Sequence, residues 1–401
     1  MPGKSISFIT VLLLQTLFVS SQKVKIFSLA SPDRKITVNI TAGAELQWSV
    51  KQGADNVIVP SSIALELQGG EVIGKNIKVA SSKKKSVNQT IAPVAYKKKT
   101  IVDNYNEITI NFSGGDGVIF RAYNEGAAYR LFTNKKNELT IQSEKTEFNF
   151  DKDYNVLIPH VSDLRGGERY TCSFEEFYSD IPISTINKDT LGYLPLLIKL
   201  DNNKKAVLLE ADVQDYPAQF VQLNQQSSHG IKGTFAPYPL EESIGGYNKI
   251  NYMVNKRADY IAKVNGTRTF PWRVIVVSEQ DKDLLNNDMV QKLSAPSRIM
   301  DISWLKPGKI AWDWWNDWNI SKVDFKAGIN NETYKYYIDF AAATKLDYII
   351  LDEGWSDDMD LTKLKPEIQL KELVDYGKQK NIGLILWSTW YALSKDIDGL
   401  C

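Results

Sequence analysis

An antiparallel β-sandwich followed by the first three βα units of a (β/α)8 barrel is the architecture this sequence predicts, and three observations carry it. From about residue 23 to residue 277, short β-branched and aromatic runs recur between Gly, Asn and Asp turns, the rhythm of an antiparallel sandwich. After Pro307 the order becomes strand, helix, strand, helix, strand, which means repeated βαβ units. Each of those three strands closes on polar or aromatic residues, and none on a Gly-rich phosphate loop. That favours a barrel, whose function sits at the C-terminal strand ends, over a doubly wound sheet.

In chain order, residues 1–22 pair Lys4 with an apolar stretch at 6–19 and close on Ser20 and Ser21, the layout of a secretory leader cleaved near Ser21. The stretch is short for a bilayer and interrupted by Ser7, Thr10, Gln15 and Thr16, so it predicts no membrane anchor. It contains no cysteine for a lipid, and no later run is long enough to span, so the mature protein is expected to be soluble.

Residues 23–295 are expected to form the sandwich domain, with strands at 35–40, 108–112, 117–123, 127–132, 194–200 and 206–210 and a helical segment at 281–292. Residues 296–307 read as a linker opening the second domain, 296–401. There a strand is predicted at 310–314. A helix capped by Asn331 then runs to 344, with Tyr334, Tyr337, Ile338 and Ala341 on one face. A strand at 347–352 is apolar without alternation, as in parallel sheets. A helix at 366–380 has Pro366 in its first turn and Leu370, Leu373, Val374 and Gly377 spaced for a core face, and a strand follows at 382–387.

At 401 residues the chain exceeds the size at which one core stops growing, which agrees with two domains. Formal net charge is zero, and the lysine runs at 83–85 and 97–99 are balanced by acids elsewhere. Nothing in that balance calls for a nucleic-acid partner. Cys172 and Cys401 are too few for a disulfide framework and lack the spacing of a metal site.

The chemistry concentrates at the strand ends. Residues 309–319 read K-I-A-W-D-W-W-N-D-W-N. A sugar ring has apolar C–H faces and a rim of hydroxyls, so its site needs flat aromatic walls beside carboxylates and amides. Asp313, Trp315 and Asn316 after the first strand, Asp352, Glu353 and Trp355 after the second, and Trp387 after the third supply that mixture, with Trp312 and Trp390 beside them. If Asp313 points inward with Ala311 and Trp315, then Trp312 and Trp314 pack outward against helices. Asp352 and Glu353, two adjacent acids closing an apolar strand, are costly unless they bind something.

The segments P-G-K-I-A-W-D-W-W-N-D-W-N at 307–319, A-G-I-N-N-E-T-Y-K-Y-Y-I-D-F-A at 327–341 and Y-I-I-L-D-E-G-W at 348–355 resemble glycoside hydrolase family 97, within it the retaining α-galactosidase branch. F-R-A-Y-N-E-G-A-A-Y-R at 120–130 and P-W-R-V-I at 271–275 resemble that family's sandwich. The resemblance implies a secreted, Gram-negative periplasmic glycosidase acting on an oligosaccharide or α-galactoside, with a bound Ca²⁺. It maps one calcium ligand onto Glu175 through S-F-E at 173–175. It also implies a nucleophile and an acid/base on later strands, so no catalytic residue is expected in this chain, which reads as a truncated barrel and an inactive fragment. The stretch from Pro307 to Cys401 is well under half of the roughly 250 residues that a whole barrel takes. Two rival readings are an inverting α-glucosidase of the same family and a non-catalytic carbohydrate-binding protein. The oligomeric state is left open.

Overall fold

The computed structural model describes residues 24–164 and 167–400. The leader read at 1–22, with its cleavage near Ser21, lies outside the described residues, as does Cys401.

Strict alternation builds the sandwich. In the strand Ile36–Ala42, residues Ile36, Val38, Ile40 and Ala42 are buried and the residues between them are not, so one face of the pleat turns to the core. Repeated along the chain, this gives two antiparallel sheets sharing one apolar interior. The first runs Lys25–Ala30, Ile36–Ala42, Leu46–Gln52, Asp55–Leu67, Leu139–Asn149, Gly230–Phe235, Gln219–Leu223. The second runs Ser179–Pro182, Asn155–Ile158, Leu196–Lys199, Lys205–Ala211, Trp272–Ser278, Gly126–Asn134, Gly117–Tyr123, Ile101–Phe112, Val79–Ile91. Trp48 fills the middle, its ring 4.9 Å from that of Tyr129 and edge-on to it.

The strand Trp272–Ser278 is buried at all seven positions. Ile275 and Val277 face the interior, while Trp272, Val274 and Val276 face outward and are covered by Met289 and Leu293. The cover comes from two five-residue helices, Asp281–Leu285 and Met289–Leu293, where one continuous helix at 281–292 is predicted. The break falls at Asn286, Asn287 and Asp288. There the Asn287 side chain accepts the Met289 N–H, and such local bonds compete with a helix.

Arg273 points from this strand into the core. Its Nε and Nη2 donate to the two carboxylate oxygens of Glu144 on the opposite sheet at 2.8 Å, and its Nη1 donates to Glu210 at 2.7 Å. Burial alone would weaken the Arg273 charge, but Glu144, backed by Glu210, outweighs it and raises the guanidinium's pKa. Burial pushes Glu210 up despite Arg273. One ion group thus bolts the two sheets together.

Beyond the linker, Ile310–Trp312, Tyr348–Leu351 and Gly383–Leu386 form a three-stranded parallel sheet in sequential order. Helix Asn331–Thr344 connects the first strand to the second, and helix Leu370–Lys380 the second to the third. Both pack on one face, where Ala311, Ile349 and Leu351 meet Tyr334, Ile338, Ala341 and Leu373. A doubly wound sheet would carry its helices on both faces. Helices on one face of strands in sequential order make an α/β barrel wall, here incomplete. The second helix fits closely because Gly377 has no side chain: a Cβ there would meet Ile382 O at 2.7 Å.

Several boundaries move. The cap of the first helix is Asn330, whose side chain accepts the Thr333 N–H, while Asn331 is the first helical residue. The second helix starts at Leu370, since 365–368 form a turn that drops Ile368 into the core. The first strand ends at Trp312, and 313–316 coil into a 3₁₀ turn.

Glu144→Gln should destabilise the sandwich by about 3 kcal/mol, because it leaves Arg273 buried with one charged partner. Urea unfolding followed by far-UV circular dichroism measures it, and a loss under about 1 kcal/mol would show that the ion group is not what joins the sheets.

Candidate functional site

The three parallel strands end together, and the side chains that follow them meet. Trp312 closes the first strand and donates its indole N–H to Asp352 Oδ2, beyond the second strand, at 2.6 Å. Asp352 Oδ1 accepts the Glu353 N–H at 2.7 Å, which folds the chain back at the strand end. Gly354 follows with φ 103°, a backbone conformation that favours glycine. Trp355 then turns into the core, 4% exposed, and donates its indole N–H to Trp387 O at 2.8 Å, joining the second strand end to the third. Trp387 itself is half-buried.

Asp313 sits beneath the tryptophan loop at 1% exposure. Its Oδ1 accepts the Trp314 N–H at 2.8 Å. Its Oδ2 accepts the Tyr334 hydroxyl at 2.8 Å and the Trp318 indole N–H at 3.0 Å. Burial pushes the Asp313 carboxyl up, against the pull of those donors, and the nearby Asp352 charge adds to the push.

The inward and outward sets at this strand are therefore the reverse of the expectation. Ala311 packs among the helices, Asp313 bonds to Tyr334 of the first helix, and Trp312 lies on the opposite face, in register with Ile350 and Ile385. The physical reason is size. The first helix packs close over the strand, so the small Ala311 takes the helix side and the indole of Trp312 is left the other.

Trp315 is 82% exposed, with its ring 6.1 Å from that of Trp312. The Trp314 ring lies 5.1 Å from that of Trp318, tilted 57° to it. Asn316 is exposed, yet its amide is engaged: Oδ1 accepts the Tyr337 hydroxyl at 2.7 Å, and Nδ2 donates to Asn319 O at 3.1 Å. The structure thus brings Asp352, Glu353, Trp312, Trp315 and Trp387 to the strand ends with surface to offer, and places Asp313 and Trp355 as supports below them. Asp358 joins the acidic group, its carboxyl pushed up by burial and by the Glu353 and Asp357 charges.

A groove of about 630 Å³ runs along the open edge of the first strand, between Ile310, Ala311 and Trp312 and the helix residues Tyr336, Tyr337 and Phe340. It shares only Trp312, Trp315 and Asn316 with the residues predicted from sequence.

Besides Asp358, two residues of the sandwich domain come to this site unforeseen. Asn248, at the tip of a sandwich hairpin, donates its amide to Glu353 Oε1 at 2.6 Å. Tyr252 of the same hairpin lies 5.8 Å from the ring of Tyr391. The hairpin is legible in hindsight as I-G-G-Y-N-K between two extended runs, but nothing in its sequence names what it touches. Glu175 is exposed on a sandwich loop, where Ser173 Oγ donates to it at 3.4 Å, while its neighbour Glu176 takes the N–H and hydroxyl of Ser162. Among the described residues, no group of three or more His, Cys, Asp or Glu is gathered as a metal site.

Asp313→Ala would leave Tyr334 and Trp318 without their acceptor and should lower stability by about 2–3 kcal/mol. Acrylamide quenching of tryptophan fluorescence should rise at the same time, as the loop loosens. Unchanged quenching would show that the loop keeps its shape without Asp313.

Comparison with known proteins agrees with this architecture. Residues 29–296 match the family model described as Glycosyl-hydrolase 97 N-terminal, and residues 314–401 match Glycoside hydrolase 97. A retaining alpha-galactosidase of Bacteroides thetaiotaomicron is 39% identical over 403 residues, taking in 99% of this chain and 60% of that protein. A probable retaining alpha-galactosidase of Streptomyces bingchenggensis is 21% identical, over 89% of this chain and 51% of that protein. Among solved structures, a family 97 enzyme from Pseudoalteromonas sp. strain K8 in complex with acarbose superimposes with a TM-score of 0.73 at 24% identity, covering 89% of this chain and 53% of that one. A beta-arabinopyranosidase does so with a TM-score of 0.71 at 20% identity, covering 90% of this chain and 55% of that one. At such identities the structures speak to the fold alone. The chain spans 60% or less of the length of each of these relatives. With residues 29–296 and 314–401 each matched by a model of the family, the chain belongs to glycoside hydrolase family 97.

Proposed function

We propose that this chain supplies the sandwich and one sugar-holding wall of an exported glycosidase that releases terminal α-galactose with retention of configuration. The observation that carries the reading is the Trp312–Asp352 pair: a carboxylate held at 2.6 Å by an indole whose neighbour Trp315 stands exposed. A carboxylate beside flat aromatic surface is what a hydroxyl-rimmed ring with apolar faces requires. The galactoside preference is supported by the Bacteroides relative, which is matched along 99% of this chain.

Retention needs two carboxyl groups about 5–5.5 Å apart, one a nucleophile and the other an acid/base. Asp352 and Glu353 are adjacent in the chain and are engaged by Trp312 and Asn248, so we read them as holders of sugar hydroxyls. Asp352 accepts from a hydroxyl while Trp312 fixes its orientation. The indole faces exclude water from the ring's C–H surface. We assign no step of bond cleavage to a residue of this chain.

Calcium enters the proposal through Glu175. Its exposed carboxylate, with Ser173 as its hydrogen-bond partner among the described residues, suits a hard cation that takes six to eight oxygens. When bound, the ion would supply a fixed positive charge. Export belongs to the same proposal and rests on residues 1–22, with a periplasmic destination. Among the described residues, no helix is long and apolar enough to cross a membrane.

The deciding assay compares p-nitrophenyl α-galactoside with the α-glucoside as substrates of the full-length protein, reading the anomer first released by NMR. Faster release from the galactoside with the α-anomer first is expected. Preference for the glucoside with inversion would replace the reading, and hydrolysis of neither would remove it. Asp352→Asn should lower kcat/KM on the galactoside by the equivalent of about 2–4 kcal/mol, as a charged acceptor is weakened. An unaltered kcat/KM would take Asp352 out of the site. Glu175→Gln should weaken calcium binding in calorimetry and shrink the fall in melting temperature that chelation causes; unaltered calcium affinity would dismiss Glu175 as a ligand.

A further inference from the structure

The hairpin formed by Pro239–Gly245 and Asn251–Arg257 pairs with neither sheet of the sandwich. Its tip reaches the barrel strand ends, through Asn248 on Glu353 and through Tyr252 against Tyr391. The tip is also tightly wound. Gly246, Asn248 and Lys249 take φ values of 72°, 48° and 58°, and a Cβ on Gly246 would meet Asn251 Nδ2 at 2.6 Å. Left-handed backbone at Asn and Lys persists only where its surroundings hold it.

The choice of contact separates a site residue from a domain fastener. A fastener on a carboxylate would gain most from Lys or Arg, which form the stronger charge-assisted bonds. Asn248 brings a neutral donor. It fixes Glu353 Oε1 without itself bringing an opposite charge, in a mouth that also holds Asp352, Asp357 and Asp358. A carboxylate held in one rotamer with its charge intact is prepared to accept hydroxyl hydrogens.

We infer that Asn248 is a positioning residue for Glu353, and that the hairpin tip at 246–249 is the sandwich's contribution to selecting the sugar. The inference rests on reading the strand ends as a sugar site. Glu353, held through one oxygen by a residue of the other domain, has its second oxygen left to accept a hydroxyl, and an acceptor so fixed discriminates between epimers that differ in the direction of one hydroxyl.

The test uses the full-length protein, wild type against Asn248→Ala and Asn248→Asp. Hydrogen exchange is followed at 239–257 and 352–355. Affinities for methyl α-galactoside and methyl α-glucoside are taken from tryptophan fluorescence. Asn248→Ala should speed exchange in both segments about tenfold and narrow the ratio of the two affinities at least fivefold. Asn248→Asp should match it at neutral pH, since two carboxylates then oppose each other, and should recover the wild-type ratio as the pH falls far enough for the pair to share a proton. Asn248→Ala should show no such recovery. Unaltered exchange in Asn248→Ala would overturn the contact itself. Faster exchange with both affinities lowered equally, or an Asn248→Asp variant that ignores pH, would make the hairpin a fastener and overturn the positioning role. If the wild type binds neither glycoside, the sugar reading fails, while the exchange result by itself still upholds or removes the Asn248–Glu353 contact.

Discussion

Three donors converge on the Asp313 carboxylate, and the tryptophan loop takes its shape from them. Tyr334 ties it to the first helix, Trp318 closes the loop over it, and the Trp314 N–H starts the 3₁₀ turn. A buried carboxylate must be satisfied, so the chain around it has few alternatives. With Asp313 facing the helix, Trp312 is sent to the other face of the strand, where its indole finds Asp352. The aromatic and acidic parts of the site are thus set in place by a residue that lies beneath both.

Ion groups of similar build do different work in the two parts of the molecule. Arg273 and the Glu144 side chain are buried, with Glu210 nearly so, and the group joins sheet to sheet. At the strand ends, Asp352 and Glu353 are only half-buried and are held by neutral donors, an indole and an amide. The first arrangement uses up its charges in pairing. The second keeps them available to whatever enters the mouth.

How much of this the sequence disclosed follows from the range of each interaction. The sandwich was legible because alternation is local: Ile36, Val38 and Ile40 show their common face within five residues. The barrel units were legible for the same reason, with Tyr334, Ile338 and Ala341 spaced along one helix face. The facing of A-W-D-W-W was not, since polar and apolar residues there share no period, and the helix packed on Ala311 decided it. Two consecutive asparagines, 330 and 331, left the cap ambiguous by one residue. Asn248 and Glu353 stand 105 residues apart, and no local pattern couples them.

The strand Trp272–Ser278 has a consequence for how the protein is made. It lies in the middle of the second sheet, between Lys205–Ala211 and Gly126–Asn134, yet is among the last strands of the sandwich to be synthesised. Until it arrives the two halves of that sheet have no common edge, and Glu144 waits for a partner 129 residues downstream. At ~5–20 residues per second of translation, that wait is on the order of ten seconds. Throughout it a carboxylate meant for the interior lacks its guanidinium, beside an apolar face that is still unfinished. Closure of the sandwich is therefore timed by its penultimate stretch of chain, and a pause in translation before residue 272 would hold the nascent protein open at its most adhesive stage.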